Sequence, residues 1–266
     1  MSFSSIYYGP DSEAYNLYAV TSPAPGDNGI GGPIAYRGKY PLGKQLVLED
    51  GRKFRFALNG GTLLVVADVI QAAAALATSV DNTAAAGAVD DRIITFTHGA
   101  ATTVVNFFAE GYANISVTPG GGDTYKIASH AALTNATAGD VVNLAPGNAL
   151  RRALTTTSRM DLVRHPYQGT LQAVTAVISG APVGVAVSAI AANGTGWLQT
   201  RGACGVLTNG ALIAGTRAVT PGAAAAGAVS PETAVSTDAD VEITIGTTLT
   251  VAATTAWSTI FLMIDG

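Results

Sequence analysis

Residues 45–56 read Gln-Leu-Val-Leu-Glu-Asp-Gly-Arg-Lys-Phe-Arg-Phe, and this stretch decides the fold class. Two runs of alternating apolar and polar residues flank Asp50-Gly51, a dipeptide suited to a two-residue type I′ turn because both central residues take positive φ. In that register Val47 faces Phe54, and Glu49 faces Arg52 as a cross-strand pair of opposite charges. Lys53 and Arg55 then fall on the other face, beside Leu46 and Leu48. The spacing predicts a β-hairpin.

The same rhythm extends outward. Strands are predicted at 92–97, 102–108, 114–118 and 124–128, each bounded by Gly, Pro or Asp, and again at 170–178, 183–190, 196–200 and 202–213. The last contains Asn209-Gly210, a second hairpin signal, which places Leu207 opposite Leu212 and Val206 opposite Ile213. Val241, Ile243, Ile245, Leu249 and Val251 alternate with Glu242, Thr244, Thr248 and Thr250, a strand with period two, and 257–264 is expected to pair nearby. Helix signals are few. The Ala-rich 71–77 has weak helical patterning, and 148–154 is a short-helix candidate with Asn148 as its cap. The hexapeptide Ala-Ala-Ala-Gly-Ala-Val occurs at 84–89 and at 224–229, but the segments after the copies share little, which favours shared composition over a duplicated domain.

Composition agrees. Charged residues are 12% of the chain against a typical ~25%, while 31 Gly and 11 Pro imply many turns. Branched Val, Ile and Thr suit a pleated surface. The expected fold is mainly β: small antiparallel barrel or sandwich domains, an extended N-terminal arm and few short helices. The expected division is an arm at 1–43, a β-rich domain with a short helix at 44–165, and a β-barrel or sandwich with acidic C-terminal strands at 166–266.

The arm holds six of the nine tyrosines, Tyr7, Tyr8, Tyr15, Tyr18, Tyr36 and Tyr40, and its Pro/Gly-punctuated 23–33 cannot propagate helix or central strand. Disordered tails lack aromatics, so this arm is read as ordered by contact, lying on a neighbouring subunit or, alternatively, on its own domain. Charge is uneven. Arg37, Lys39, Lys44, Arg52, Lys53 and Arg55 crowd one stretch, four more cations lie between Arg151 and Arg164, and after Arg217 only acids follow. Such blocks are solvated surface or, on a sharper reading, a polarised molecule whose basic parts face an acidic partner. The formal net charge of −4 gives no electrostatic reason to bind nucleic acid.

The chemistry-bearing residue types do not assemble into a site. His98, His130 and His165 are far apart in sequence and read as turn or surface residues. The one cysteine, Cys204, reads as a small buried hydrophobe. Gly32 to Tyr40 departs from a phosphate-binding loop in spacing, with Tyr40 where Ser or Thr would hold magnesium. Asp90-Asp91 would point to opposite sides of a strand, and the run Asp238 to Glu242 has Ile243 where a calcium loop needs glycine. Trp197 reads as core. No catalytic, cofactor or metal residues are therefore assigned, and the protein is expected not to be an enzyme. The first residues lack the pattern of a secretory signal, and the apolar 63–77 is interrupted by Asp68 and Gln71, so a soluble protein made in a cytoplasm and without a membrane partner is expected.

Two stretches carry a resemblance. Tyr40-Pro-Leu-Gly-Lys-Gln-Leu-Val-Leu-Glu-Asp-Gly-Arg-Lys-Phe-Arg-Phe-Ala-Leu-Asn-Gly-Gly61 is one. Ala181-Pro-Val-Gly-Val-Ala-Val-Ser-Ala-Ile190, with Gly196-Trp-Leu-Gln-Thr-Arg-Gly-Ala-Cys-Gly-Val-Leu-Thr-Asn-Gly210, is the other. Both resemble structural proteins encoded beside the major capsid protein in tailed bacteriophages, and the second resembles the small β-barrel of head decoration (cement) proteins. The resemblance implies a non-enzymatic virion protein, assembled in a bacterial cytoplasm, that binds the outer capsid surface between subunits and stabilises the shell. Its implied partners are the major capsid protein and copies of itself, as a trimer or other small oligomer. Candidate contacts are Tyr7, Tyr8, Tyr15, Tyr18, Tyr36 and Tyr40 from the arm, with Arg37, Arg52, Lys53 and Arg55. The rival readings are a tail, neck or fibre component, the shell protein itself, and a carbohydrate-binding module that would stack sugars on Trp197, Trp257 or exposed tyrosines.

Overall fold

A computed structural model describes residues 6–15, 40–99, 102–134, 138–174, 179–220, 225–232 and 242–265. The chain is mainly β, with closed barrel sheets, and its longest helical piece among the described residues is the 3₁₀ turn Asp11–Tyr15. The described residues fall into two compact units, one of 6–15, 40–74 and 166–265, the other of 75–165. This redraws the expected division: 44–74 belongs with the last hundred residues, because its strands pair there, and the second unit is an uninterrupted insertion between them.

Strands are numbered in chain order. The first unit contains β1 (Ile6–Tyr8), β2 (Gln45–Val47), β3 (Lys53–Asn59), β4 (Val69–Gln71), β11 (Gln168–Gln172), β12 (Pro182–Ala186), β13 (Thr195–Leu207), β14 (Arg217–Thr220), β15 (Ser230–Pro231), β16 (Ile243–Thr248) and β17 (Trp257–Met263). They form one sheet in the order β1-β2-β3-β11-β4-β12-β13-β17-β16-β14-β15, in which β3 also pairs with β13 and closes a barrel. Strand β13 makes this possible. Its first half lies between β12 and β3, with Trp197 opposite Phe56, and its second half pairs with β17, with Leu207 opposite Trp257. The change of neighbour occurs at Gly202, where φ is +91° and an added Cβ would sit 2.8 Å from Arg52 Cγ, so only glycine fits the bend. The expected strands 196–200 and 202–213 are thus one continuous strand that stops at Leu207.

The predicted 45–56 hairpin is present, but one residue out of register. Leu46 pairs with Phe54 and Val47 with Lys53. Leu48 N–H donates to Arg52 O and Gly51 N–H to Leu48 O, so the loop has three residues, with Gly51 at φ +85° closing a bulge. A one-residue slip exchanges the faces. Leu46, Leu48, Phe54 and Phe56 all become buried with Trp197, whereas the sequence reading set Leu46 and Leu48 beside Lys53 and Arg55.

The Asn209-Gly210 hairpin does not form. Leu207 is already paired with Trp257, Leu212 bridges Ala252, and Ile213 is exposed. In the C-terminal run the strand proper is β16, while Leu249 and Val251 lie beyond its end; β17 pairs with β16 as expected.

The second unit contains β5 (Asn82–Ala84), β6 (Ile93–Thr97), β7 (Tyr112–Val117), β8 (Thr124–His130), β9 (Ala138–Leu144) and β10 (Arg159–Val163), closed as β10-β5-β6-β9-β8-β7. Its core includes Ile94, Phe96, Phe108, Ile115, Tyr125, Leu150 and Leu162. The expected strand 102–108 is instead a turn: Asn106 takes φ +57° and its side chain accepts from His130 N–H, leaving only a Thr103–Leu133 bridge. Neither expected helix exists. Gln71 ends β4, with only the 3₁₀ turn Ala77–Ser79 beyond it, and Leu150 and Leu154 exchange backbone bonds with 87–91 in extended conformation.

One device recurs in both units. Leu64 bridges Ile190, Gly87 bridges Leu154 and Leu212 bridges Ala252, and the residue after each of these opens a turn that leads into a strand. At the third position of these turns Ala67, Asn193, Asp90, Gly215 and Thr255 have positive φ, as a type II turn requires. Thr155 to Ser158 makes the equivalent turn bond after Leu154.

Candidate docking surface

The N-terminal segment is fastened to its own barrel. β1 runs parallel to β2, Ala14 is fully buried, and Tyr7 stacks on Tyr40 at 5.8 Å between ring centroids. Tyr40 in turn contacts Phe56 and Trp197, and its hydroxyl donates to Glu13 Oε1 at 3.1 Å. Tyr7 and Tyr40 are thus occupied within the barrel. Tyr8 and Tyr15 are the outward pair, 75% and 48% exposed. Tyr18, Tyr36 and Arg37 lie outside the described residues.

The basic hairpin faces its own acids. Arg52 bonds Asp50 at 2.6 Å and also Asp11. Burial works against the Arg52 charge, but bonds to Asp50, Tyr15 and Asp11 outweigh it and hold the guanidinium protonated. The Arg52 backbone N–H, followed by its guanidinium, holds the Asp50 carboxyl below its usual range. Arg55 grips Asp265 through two bonds, 2.7 and 3.1 Å, and donates to Gly43 O, so a C-terminal acid closes against β3. Arg217 likewise meets Glu232. The polarised-charge expectation is corrected for these arginines: the acids come from within the chain. Lys53, on the same hairpin, is half-buried.

The second cationic block is also engaged. Asp123 accepts from Arg152 Nε at 2.9 Å and Tyr125 Oη at 3.1 Å, and Arg152 reaches the carbonyls of Gly120 and Gly121. The Arg152 bond holds the Asp123 carboxyl below its usual range. Arg164 lies over the Phe107 ring at 4.8 Å.

The three histidines are buried, not on turns or the surface as expected. His130 shows why: Nε2 accepts from Phe108 N–H at 2.9 Å while Nδ1 donates to Ala131 O at 2.6 Å, an arrangement that fixes a neutral ring inside a loop. Cys204 is buried, and burial pushes its thiol up to about 12, which leaves it unreactive. Asp91 caps a turn by accepting from Ala88 N–H, while Asp90 occupies the positive-φ position. Trp197 is core, and Trp257 is 67% exposed.

One buried acid showed in the sequence only as an interruption of the apolar run 63–77. Asp68, 2% exposed, accepts from Gln172 Nε2 at 2.6 Å, and burial pushes its carboxyl up to about 6, only partly offset by that bond. Its burial follows from the Leu64 turn, which places Asp68 immediately before β4. Among the described residues no group of three His, Cys, Asp or Glu could hold a metal ion, and no helix is long and apolar enough to cross a membrane. Among the described residues of the N-terminal segment, the exposed rings are those of Tyr8 and Tyr15. No family model matches the chain, and no curated protein or solved structure matches it either.

Proposed function

We propose that the protein is a virion structural protein that decorates a phage head, docking through the aromatic surface of its N-terminal segment. The observation that carries this reading is the division of labour in that segment. Tyr7 and Ala14 anchor it to the barrel, while Tyr8 and Tyr15 are held outward on a preformed scaffold. Tyrosine offers a large rigid ring and a hydroxyl at low entropic cost, which suits it to interfaces, and anchoring the segment in advance lowers the ordering cost of binding. The major capsid protein is the proposed partner and the outer capsid surface the proposed location. Because Arg52 and Arg55 already hold internal acids, the contact is aromatic and shape-driven more than ionic.

The test is direct. Purified protein is mixed with undecorated heads and imaged by electron microscopy, beside Tyr8→Ala/Tyr15→Ala. Regular density on the shell with wild type, weakened at least tenfold in affinity by the double variant, supports the reading. Bare shells overturn it. A sugar-binding reading now rests on Trp257 alone among the tryptophans, and a glycan array with Trp257→Ala tests it.

A further inference from the structure

Among the described residues of the first unit, the outward face of β17 presents a row of exposed apolar side chains. Trp257, Phe261 and Met263 are 67%, 40% and 50% exposed, while Ser258, Ile260 and Leu262, between them, point inward and are buried. Beside this row of large side chains runs a row of small ones. Phe261 is paired with Ala203 and Thr259 with Gly205 on β13, and both small residues are exposed. On the other flank Thr247 pairs with Phe261, and Leu249, 47% exposed, donates its N–H to Thr259 O. The face is therefore a ridge along β17 and a groove along β13, about 4.8 Å apart. Of these positions only Arg201, paired with Met263 at one end, is charged.

We propose that this face binds the same face of a second copy of the chain about a two-fold axis parallel to the strands. Three physical points favour that occupant. A two-fold axis running between β13 and β17 carries the ridge of one copy onto the groove of the other. Phe261 then meets the second copy's Ala203–Gly205 groove, as isologous contacts require. Aligned sheets pack about 10 Å apart, which large-on-small interdigitation satisfies and large-on-large does not. The area is also of the right order. The exposed apolar surface is on the order of 500 Å², and with a polar rim it approaches the roughly 800 Å² per partner of a stable interface. Finally, the middle of the face, from Trp257 to Phe261, carries no charge and so offers no complementarity to a charged partner, while Arg201 lies at its end beside Met263.

The inference does not rest on the capsid reading, and it is tested without capsids. Sedimentation equilibrium of wild-type protein should give twice the chain mass. The emission of Trp257 should shift to the blue as concentration rises, while buried Trp197 serves as a constant background. Phe261→Glu and, independently, Ala203→Trp should each weaken association by roughly thirtyfold or more and abolish the shift. Both sites are exposed, so the circular dichroism spectrum and Tm should be retained. Phe261→Tyr should keep the dimer. A wild-type monomer at about 0.1 mM (a concentration at which even a weak, micromolar dimer forms), a trimer, or a dimer that survives both substitutions would each overturn the proposal.

Discussion

The two barrels close in different ways. The 75–165 barrel is built from one uninterrupted stretch, and each strand finds its neighbours within that stretch. The first barrel closes by pairing β3 with β13, so residues 53–59 wait for residues 195–201, and its two parallel pairings, β1–β2 and β3–β11, cannot be made by tight turns. Their polar fastenings differ too. Asp123 of the contiguous barrel is surrounded by donors that favour its charge, whereas Asp68 of the interrupted one is buried with Gln172 as its bonded partner. Closure over long sequence separation depends on late contacts, and closure within a segment does not.

The sharpest way to break this contrast is to cut the chain. A fragment of 75–165 should keep its near-UV circular dichroism and unfold cooperatively, while a fragment of 166–266 should not fold, because β3 is missing from its barrel. A folded 166–266 would show that β3–β13 closure is dispensable. Next in size, Trp197→Ala should cost about 3–5 kcal/mol in the first unit, seen as a low-temperature transition split from an unshifted one in calorimetry. A uniform shift of a single transition would mean that the units unfold together.

Acidity separates the two carboxylates by sign. The Asp68 pKa is raised to about 6 from 3.8, so its contribution to stability is fully present below 3.8 and is lost as pH rises through 6. Asp68→Asn should therefore remove the fall in Tm between about pH 4 and 6 and stabilise the first unit at pH 7 by about 1 kcal/mol, a figure discounted for nearby solvent. The Asp123 pKa is depressed, so its contribution is present above 3.8 and is lost as pH falls through the lower folded value. Asp123→Asn should lower the Tm of the 75–165 barrel at pH 7 and flatten its acid limb; melting from pH 2 to 7 checks both. Smallest of all, Tyr8→Ala should leave stability within about 0.5 kcal/mol by chemical denaturation, since its ring is outside the core. A larger loss would place Tyr8 among the anchors with Tyr7.

The candidate surface was only half legible. An excess of tyrosine near the N-terminus pointed to packing or docking, but local sequence does not tell Tyr7 from Tyr8. That choice depends on β1 lying parallel to β2, which turns one ring toward Tyr40 and the next to solvent. The basic hairpin misled for a related reason. Its acidic partners Asp11 and Asp265 are 41 and 210 residues from the arginines they meet, and only the fold brings them together.

Branched side chains, turn dipeptides and period-two alternation were enough to determine a mainly β chain and to locate β6, β7, β8, β17 and the 45–56 hairpin, because each of these signals is local. Tertiary structure alone decided the rest. Gly51 in the left-handed region moved that hairpin by one residue and buried Leu46 with Phe54, and β17 took the edge of β13 that Leu212 and Ile213 were expected to occupy. Alternation states which residues share a face. It does not state which strand lies alongside, since every strand presents the same backbone donors and acceptors, and that choice is made by which side chains the whole chain can bury together.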